Sequence, residues 1–284
     1  MGALWYTPEQ QVILLSMNTL PTLMPGSEPF FFPGDSTGCL CLHGFTASPA
    51  ELRWLGQDLA AQGCTVYGPR LPGHGTDPRD LNRHRWKDWY AAALDGYHLL
   101  RGQCERVFVI GHSMGGLLAL LVASQVPVDG AAVLAAPLRF RQKGVAMARW
   151  LRFVRPYSNQ ADAGSLNTLI RQEQARRGEP IVGRVRYDLW STRAVAELFA
   201  VSQAAQQVLP RVEAPLLLIY SEGDQTVTAD NMDYVRQQVR SQHIQAHLLQ
   251  HSDHILPQDT DRETVFAYVS AFVRGNRNDS PAGA

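Results

Sequence analysis

Long apolar runs are missing from this sequence, and no stretch is long enough to cross a bilayer as a helix. Near its start Val12-Ile-Leu-Leu15 is short and no lysine or arginine precedes it, so no secretory signal is expected. Cysteine is scarce, four in 284 residues, which excludes a disulfide framework in a chain this long. Cys39 and Cys41 alternate along a strand-like run, so they share one face and do not pair with each other. Their C-x-C spacing also lacks the second ligand cluster of a zinc site. Buried thiols in a reducing compartment follow, and the chain is expected to be cytoplasmic. Neither charge is in excess, with 26 Lys plus Arg against 26 Asp plus Glu. Nothing global therefore draws the chain to nucleic acid or an anionic membrane, and a neutral or modestly polar small molecule is the expected partner.

What the sequence does hold is apolar material for a sizeable core, 45% of its residues. Strand-like runs stand at Cys39–Leu42, Cys64–Tyr67, Val107–Ile110, Ala131–Leu134, Leu216–Tyr220 and Ala246–Leu249, with helical patterns between them. Near-continuous apolar strands alternating with helices predict an α/β protein, a mostly parallel sheet covered on both faces. Ser48-Pro-Ala-Glu51 reads as a capping box, with Gly63 closing that helix. A stripe from Trp86 through Trp89, Tyr90, Ala93, Leu94 and Tyr97 to Leu100 predicts a second helix. Thr260-Asp-Arg-Glu263 opens a last one, with Val265, Phe266, Val269, Phe272 and Val273 facing inward. From Pro137 to about Val212 the rhythm breaks, arginines crowd in and no strand stands out, so residues 138–212 are expected to form a helical insertion on top of the sheet. Core is then expected over 1–137 and 213–274, with 1–33 unplaced and 275–284 a disordered tail.

At one strand–helix joint, Gly111-His-Ser-Met-Gly115 fits G-x-S-x-G. Between a strand and a glycine-rich helix start, that pattern predicts a nucleophile elbow with Ser113 held above the sheet on a strained turn. Serine needs a general base, and the base needs an orienting carboxylate, in the chain order Ser, acid, His. Asp224 follows the strand Leu216–Tyr220 and is the first choice for the acid. Glu222 precedes the Gly223 turn and Asp230 lies past the loop, so both rank below it. For the base, His251 and His254 both follow the next strand, and spacing does not separate them. Oxyanion donors are expected from the Met114 N–H and, across Leu42-His-Gly-Phe45, from the Phe45 N–H, with Gly44 letting the backbone turn and His43 taking part. His74, in Leu-Pro-Gly-His-Gly75, is expected to pack rather than ionise.

With these residues assembled, the sequence resembles α/β-hydrolases of the carboxylesterase and monoacylglycerol lipase branch, from about Cys39 to Phe272. The resemblance rests on Leu42-His-Gly-Phe-Thr-Ala-Ser-Pro49, Pro69-Arg-Leu-Pro-Gly-His-Gly75, Trp86-Lys-Asp-Trp89, Gly111-His-Ser-Met-Gly-Gly116 and Ser252-Asp-His-Ile255. It implies an α/β-hydrolase fold with a helical cap over an acyl-binding tunnel. It also favours His254 as base, and implies an esterase or lipase acting on a small ester or lipid, with no cofactor or metal. Aspartate-dependent dehalogenases and epoxide hydrolases are disfavoured by Ser113. A carbon–carbon bond hydrolase, a cofactor-free haloperoxidase and a ligand receptor that barely turns over remain rival readings of the same residues.

Overall fold

The computed structural model describes residues 22–140, 157–159 and 164–275. Expectations for Val12–Leu15, for residues 141–156 of the expected insertion, and for the tail after Gly275 lie outside them. Among the described residues a seven-stranded sheet runs in the order β1-β3-β2-β4-β5-β8-β9. Its strands are β1 (Phe30–Phe32), β2 (Thr37–Leu42), β3 (Thr65–Gly68), β4 (Arg106–His112), β5 (Gly130–Leu134), β8 (Leu216–Ser221) and β9 (Ile244–Leu249). All neighbours pair in parallel except β1, which runs antiparallel to β3 with Phe30 opposite Gly68. The α/β expectation is met, and part of the segment before residue 34 is placed as an edge strand.

Alternation along the central strands splits the core into two layers. Leu40, Leu42, Val107, Val109, Leu216, Leu218 and Tyr220 face α3 (Trp86–Arg101) and α4 (Met114–Ala123). Cys39, Cys41, Phe108, Ile110, Leu217 and Ile219 face α1 (Ala50–Ala61) and α8 (Arg262–Gly275). The two cysteines do share a face, and all four cysteines are buried and outside any disulfide. Gly275 ends α8 rather than opening the tail. The inward stripe of α8 is buried at all five expected positions. A short α2 (Pro78–Leu81) precedes α3, and α7 (Asp230–Gln238) lies between β8 and β9.

Two local expectations fail. The Ser48–Glu51 capping box is absent, since α1 has Pro49 at its N-cap with no side-chain cap bond. Ser48 Oγ instead donates to the Val185 carbonyl, and the Glu51 carboxylate turns inward. The second concerns the segment where no strand stood out. There β6 (Tyr157–Asn159) pairs antiparallel with β7 (Leu189–Ser191), between α5 (Gly164–Arg176) and α6 (Thr192–Val208). Three residues per strand are too few for a period-2 pattern to register. Nor does α6 stand apart from the sheet: Val201, Ala205 and Val208 join the core layer over α4.

Candidate active site

The site begins at the joint between β4 and α4. Ser113 has φ 53° and ψ −118°, a conformation that an L-residue holds only when its surroundings enforce it. The enforcement is visible. A Cβ on Gly111 would lie 2.0 Å from the Gly115 carbonyl oxygen, and one on Gly115 would lie 1.9 Å from that of Leu42. Only glycine fits at these two positions, and the Ser113 N–H is tied to the Leu134 carbonyl at 2.7 Å. Thr46 and Ala135 are the other non-glycine residues with positive φ among the described residues, and both flank this joint.

The structure then separates the candidates that spacing left open. His254 Nε2 lies 3.0 Å from Ser113 Oγ, and His254 Nδ1 lies 2.7 Å from Asp224 Oδ2. The Nδ1–H therefore donates to the carboxylate, leaving Nε2 to accept from the serine hydroxyl. His251 is exposed, with its backbone N–H on Asp261. Glu222 is exposed, and Asp230 pairs with Arg139 at 2.6 Å. Burial alone would lift the Asp224 carboxyl. The hydrogen bond and charge of His254, together with the Val227 and Thr226 N–H groups on Oδ1, outweigh it and hold the carboxyl below its ordinary range.

The loops carrying acid and base are tied to each other. Ser221 Oγ donates to the Ser252 carbonyl and accepts from the Gly223 N–H. Asp261 receives the Ser252 N–H, and Asp259 that of Asp253. Sequence reasoning missed these supports, because short-range serine and aspartate bonds to backbone leave no periodic signal.

The loop after β2 passes beside Ser113, where the Gly44 N–H donates to Glu51 Oε1 at 2.7 Å. Space rather than unusual dihedrals explains Gly44: a Cβ there would lie 3.1 Å from Glu51 Oε1 and 3.3 Å from the Ser113 Cβ. The turn conformation falls on Thr46, φ 61°, whose carbonyl accepts from the Tyr187 N–H. The Phe45 and Met114 N–H groups have no acceptor among the described residues. His43 is buried and neutral, pushed down to about 4 by desolvation. It ties this loop to the next by accepting the Leu71 N–H on Nε2 and donating Nδ1–H to Gly44, a bracing part rather than a contact with the cavity. His74 is fully buried and desolvation lowers its pKa strongly, so it packs as expected.

A family model described as the alpha/beta hydrolase family matches residues 39–267. The chain belongs to that family. Among curated relatives, this hydrolase is 29% identical over 250 residues to a thermostable monoacylglycerol lipase of Bacillus sp. (strain H-257), covering 86% of this chain and 92% of that one. It is 25% identical over 247 residues to a carboxylesterase of Bacillus subtilis (strain 168), covering 87% and 96%. Among solved structures it is similar to one reported for LipS and LipT, two metagenome-derived lipolytic enzymes, with a TM-score of 0.79 and 29% identity over 89% of this chain and 100% of that one.

Above Ser113 the hydrolase holds a cavity of about 370 Å³, within the range of small-molecule sites. Ser113 and His254 stand at its floor side with Gly44 and Phe45. Its outer wall comes from the segment between β5 and β8, where Phe140, Leu166, Leu169, Trp190 and Leu198 supply apolar surface and Arg184 and Arg186 supply charge. None of these wall residues was singled out as a substrate contact from sequence. Among the described residues no group of three or more His, Cys, Asp or Glu side chains converges to hold a metal ion, and no helix is long and apolar enough to cross a membrane.

Proposed function

We propose that this α/β-hydrolase is a serine carboxylester hydrolase cleaving short- to medium-chain acyl esters, monoacylglycerols among them. The observation that carries the reading is the unbroken line Asp224–His254–Ser113, at 2.7 and 3.0 Å, opening on a cavity with apolar side chains in its wall. Ser113 Oγ attacks the ester carbonyl while His254 Nε2 takes its proton and Asp224 stabilises the imidazolium. The oxyanion is held by the Phe45 and Met114 N–H groups, a contribution of about 2.7–4 kcal/mol per donor in comparable sites. The tetrahedral adduct collapses, its alcohol leaves with the proton from His254, and an acyl ester on Ser113 remains. Water, deprotonated by His254, then attacks that ester and releases the acid and the free serine.

The names of the relatives, a monoacylglycerol lipase and a carboxylesterase, support the ester class. Residues 138–212 act in this reading as a lid over the acyl site, supported by their share of the cavity wall. Buried cysteines outside any disulfide fit a reducing, cytoplasmic setting. The test is steady-state hydrolysis of p-nitrophenyl esters from acetate to palmitate, beside Ser113→Ala. Multiple turnover that falls by about 10⁵-fold or more in the variant, with loss of fluorophosphonate labelling, is expected. No turnover at any chain length would sink the reading in favour of a carbon–carbon hydrolase or a receptor.

A further inference from the structure

One buried ion pair in the site is not used by the steps above. His112, fully buried on the residue before Ser113, places Nδ1 2.8 Å from Glu51 Oε1 and Nε2 2.8 Å from the backbone carbonyl of His254. With Glu51 ionised, held down to about 2 by its partners, both groups facing the ring only accept, so both ring nitrogens carry hydrogen and the ring is an imidazolium. The same Glu51 oxygen also receives the Gly44 N–H at 2.7 Å, and Glu51 is 5% exposed. One carboxylate and one ring thus join three pieces of backbone: the loop after β2, the elbow, and the loop that carries the base.

We propose that the Glu51–His112 pair is a positioning device for the reaction, in which His112 and Glu51 hold the Phe45 N–H and the His254 ring in register around Ser113. The proposal rests on the esterase reading, since register matters only if those groups act on one substrate. Geometry excludes a plain capping part for Glu51, whose helix has no side-chain cap. A buried pair is rarely worth its desolvation for stability alone, which points to placement as its use. Charge agrees with the geometry. Burial opposes ionisation of both groups, yet each partner's charge and hydrogen bond outweigh it, holding Glu51 down to about 2 and His112 above its ordinary value. The other groups facing the ring are His43 after β2, Asp224 after β8 and His254 after β9. Asp224 favours the proton on His112, and neutral His43 does not oppose it.

The prediction for the chemistry is a change in kcat rather than in binding. With a carboxamide at position 51 the Gly44 bond can survive but the proton on His112 is no longer held. Glu51→Gln should lower kcat for p-nitrophenyl butyrate ten- to a hundredfold with KM within twofold. The high-pH fall of kcat should also begin at lower pH than in the wild type. His112→Gln, which offers one amide nitrogen in place of two ring N–H groups, should lose kcat in the same direction. Wild-type kcat at every pH in either variant, even with a lower Tm, would overturn the proposal and leave the pair a packing feature.

The intact wild-type protein supplies the deciding measurement if both variants fail to fold. Imidazole 1H–15N correlations, followed from pH 6 to 10 beside the kcat profile, should show His112 doubly protonated at neutral pH. The loss of its second proton should coincide with the high-pH fall in kcat. A singly protonated His112 at pH 7, or a kcat that ignores its titration, would overturn the idea. The spectrum needs no turnover, so a wild type without esterase activity would remove the proposed function while leaving the protonation state of His112 readable.

Discussion

The floor and the outer wall of the cavity are built on different terms. On the floor the proposed reacting groups follow strand ends and are tied to backbone groups: Ser113 by the Leu134 carbonyl, Asp224 by two N–H groups, and the loop of His254 through the Ser252 N–H on Asp261. The wall is assembled from side chains of α5, β7 and α6, with the Arg186 guanidinium in the lining paired to the exposed Asp188 carboxylate. A floor held by backbone tolerates almost no change in geometry, whereas a wall of side chains can be resized residue by residue. Under the proposed function, chemistry and selectivity are thus separable in this molecule.

The sharpest test of that separation is the base. His254→Ala should lose several orders of magnitude in kcat on every ester, while His251→Ala, exposed at the same loop, should stay within about threefold of wild type by stopped-time assay. Equal losses would mean that the loop as a whole, not one ring, is what the floor provides. Next comes the packing under the elbow. Gly115→Ala puts a methyl 1.9 Å from the Leu42 carbonyl oxygen, so denaturant melts should show a loss of about 1–3 kcal/mol and activity should fall with it. A stable, active Gly115→Ala protein would show the floor to be softer than its hydrogen bonds imply.

Acid should also weaken the floor. Glu51 and Asp224 both have folded-state pKa values below their ordinary ones, so the stability they contribute is complete above about pH 4.5 and is lost as pH falls toward about 2. Denaturant midpoints measured from pH 6 to 3 should show this decline, with a smaller one in Glu51→Gln. The mildest effect belongs to the wall. Trp190→Ala or Leu169→Ala should move the preferred acyl length upward, while kcat on the acetate ester stays within about threefold. A loss of acetate turnover as large as that in His254→Ala would erase the distinction between the two regions.

Legibility in the sequence followed the same divide. The proposed elbow, acid and oxyanion loop could be nominated because each sits where an apolar strand stops and glycine begins, a contrast a single sequence displays. His254 needed the family resemblance, since His251 has the same strand behind it. Glu51 was misread: Ser-x-x-Glu ahead of an apolar run is a capping pattern, and its partner His112 is 61 positions away, invisible to any local rule. The wall was hidden for a further reason, since two three-residue strands and an arginine-rich helix carry no period that distinguishes lining from solvent.

The edge of the sheet bears on how far this chain can be shortened. Phe30 is 4% exposed, and its ring occupies the space that side chains would fill at both Gly56 and Gly68, where an added Cβ would come within 2.7 and 2.2 Å of it. That ring acts as a plug between α1 and β3. Trimming the chain past residue 30 would expose two facing glycines and the free backbone of β3, forfeiting about 1.5–3 kcal/mol of buried aromatic surface and opening an edge to which other chains can add. A shortened version of the protein must therefore keep that phenylalanine.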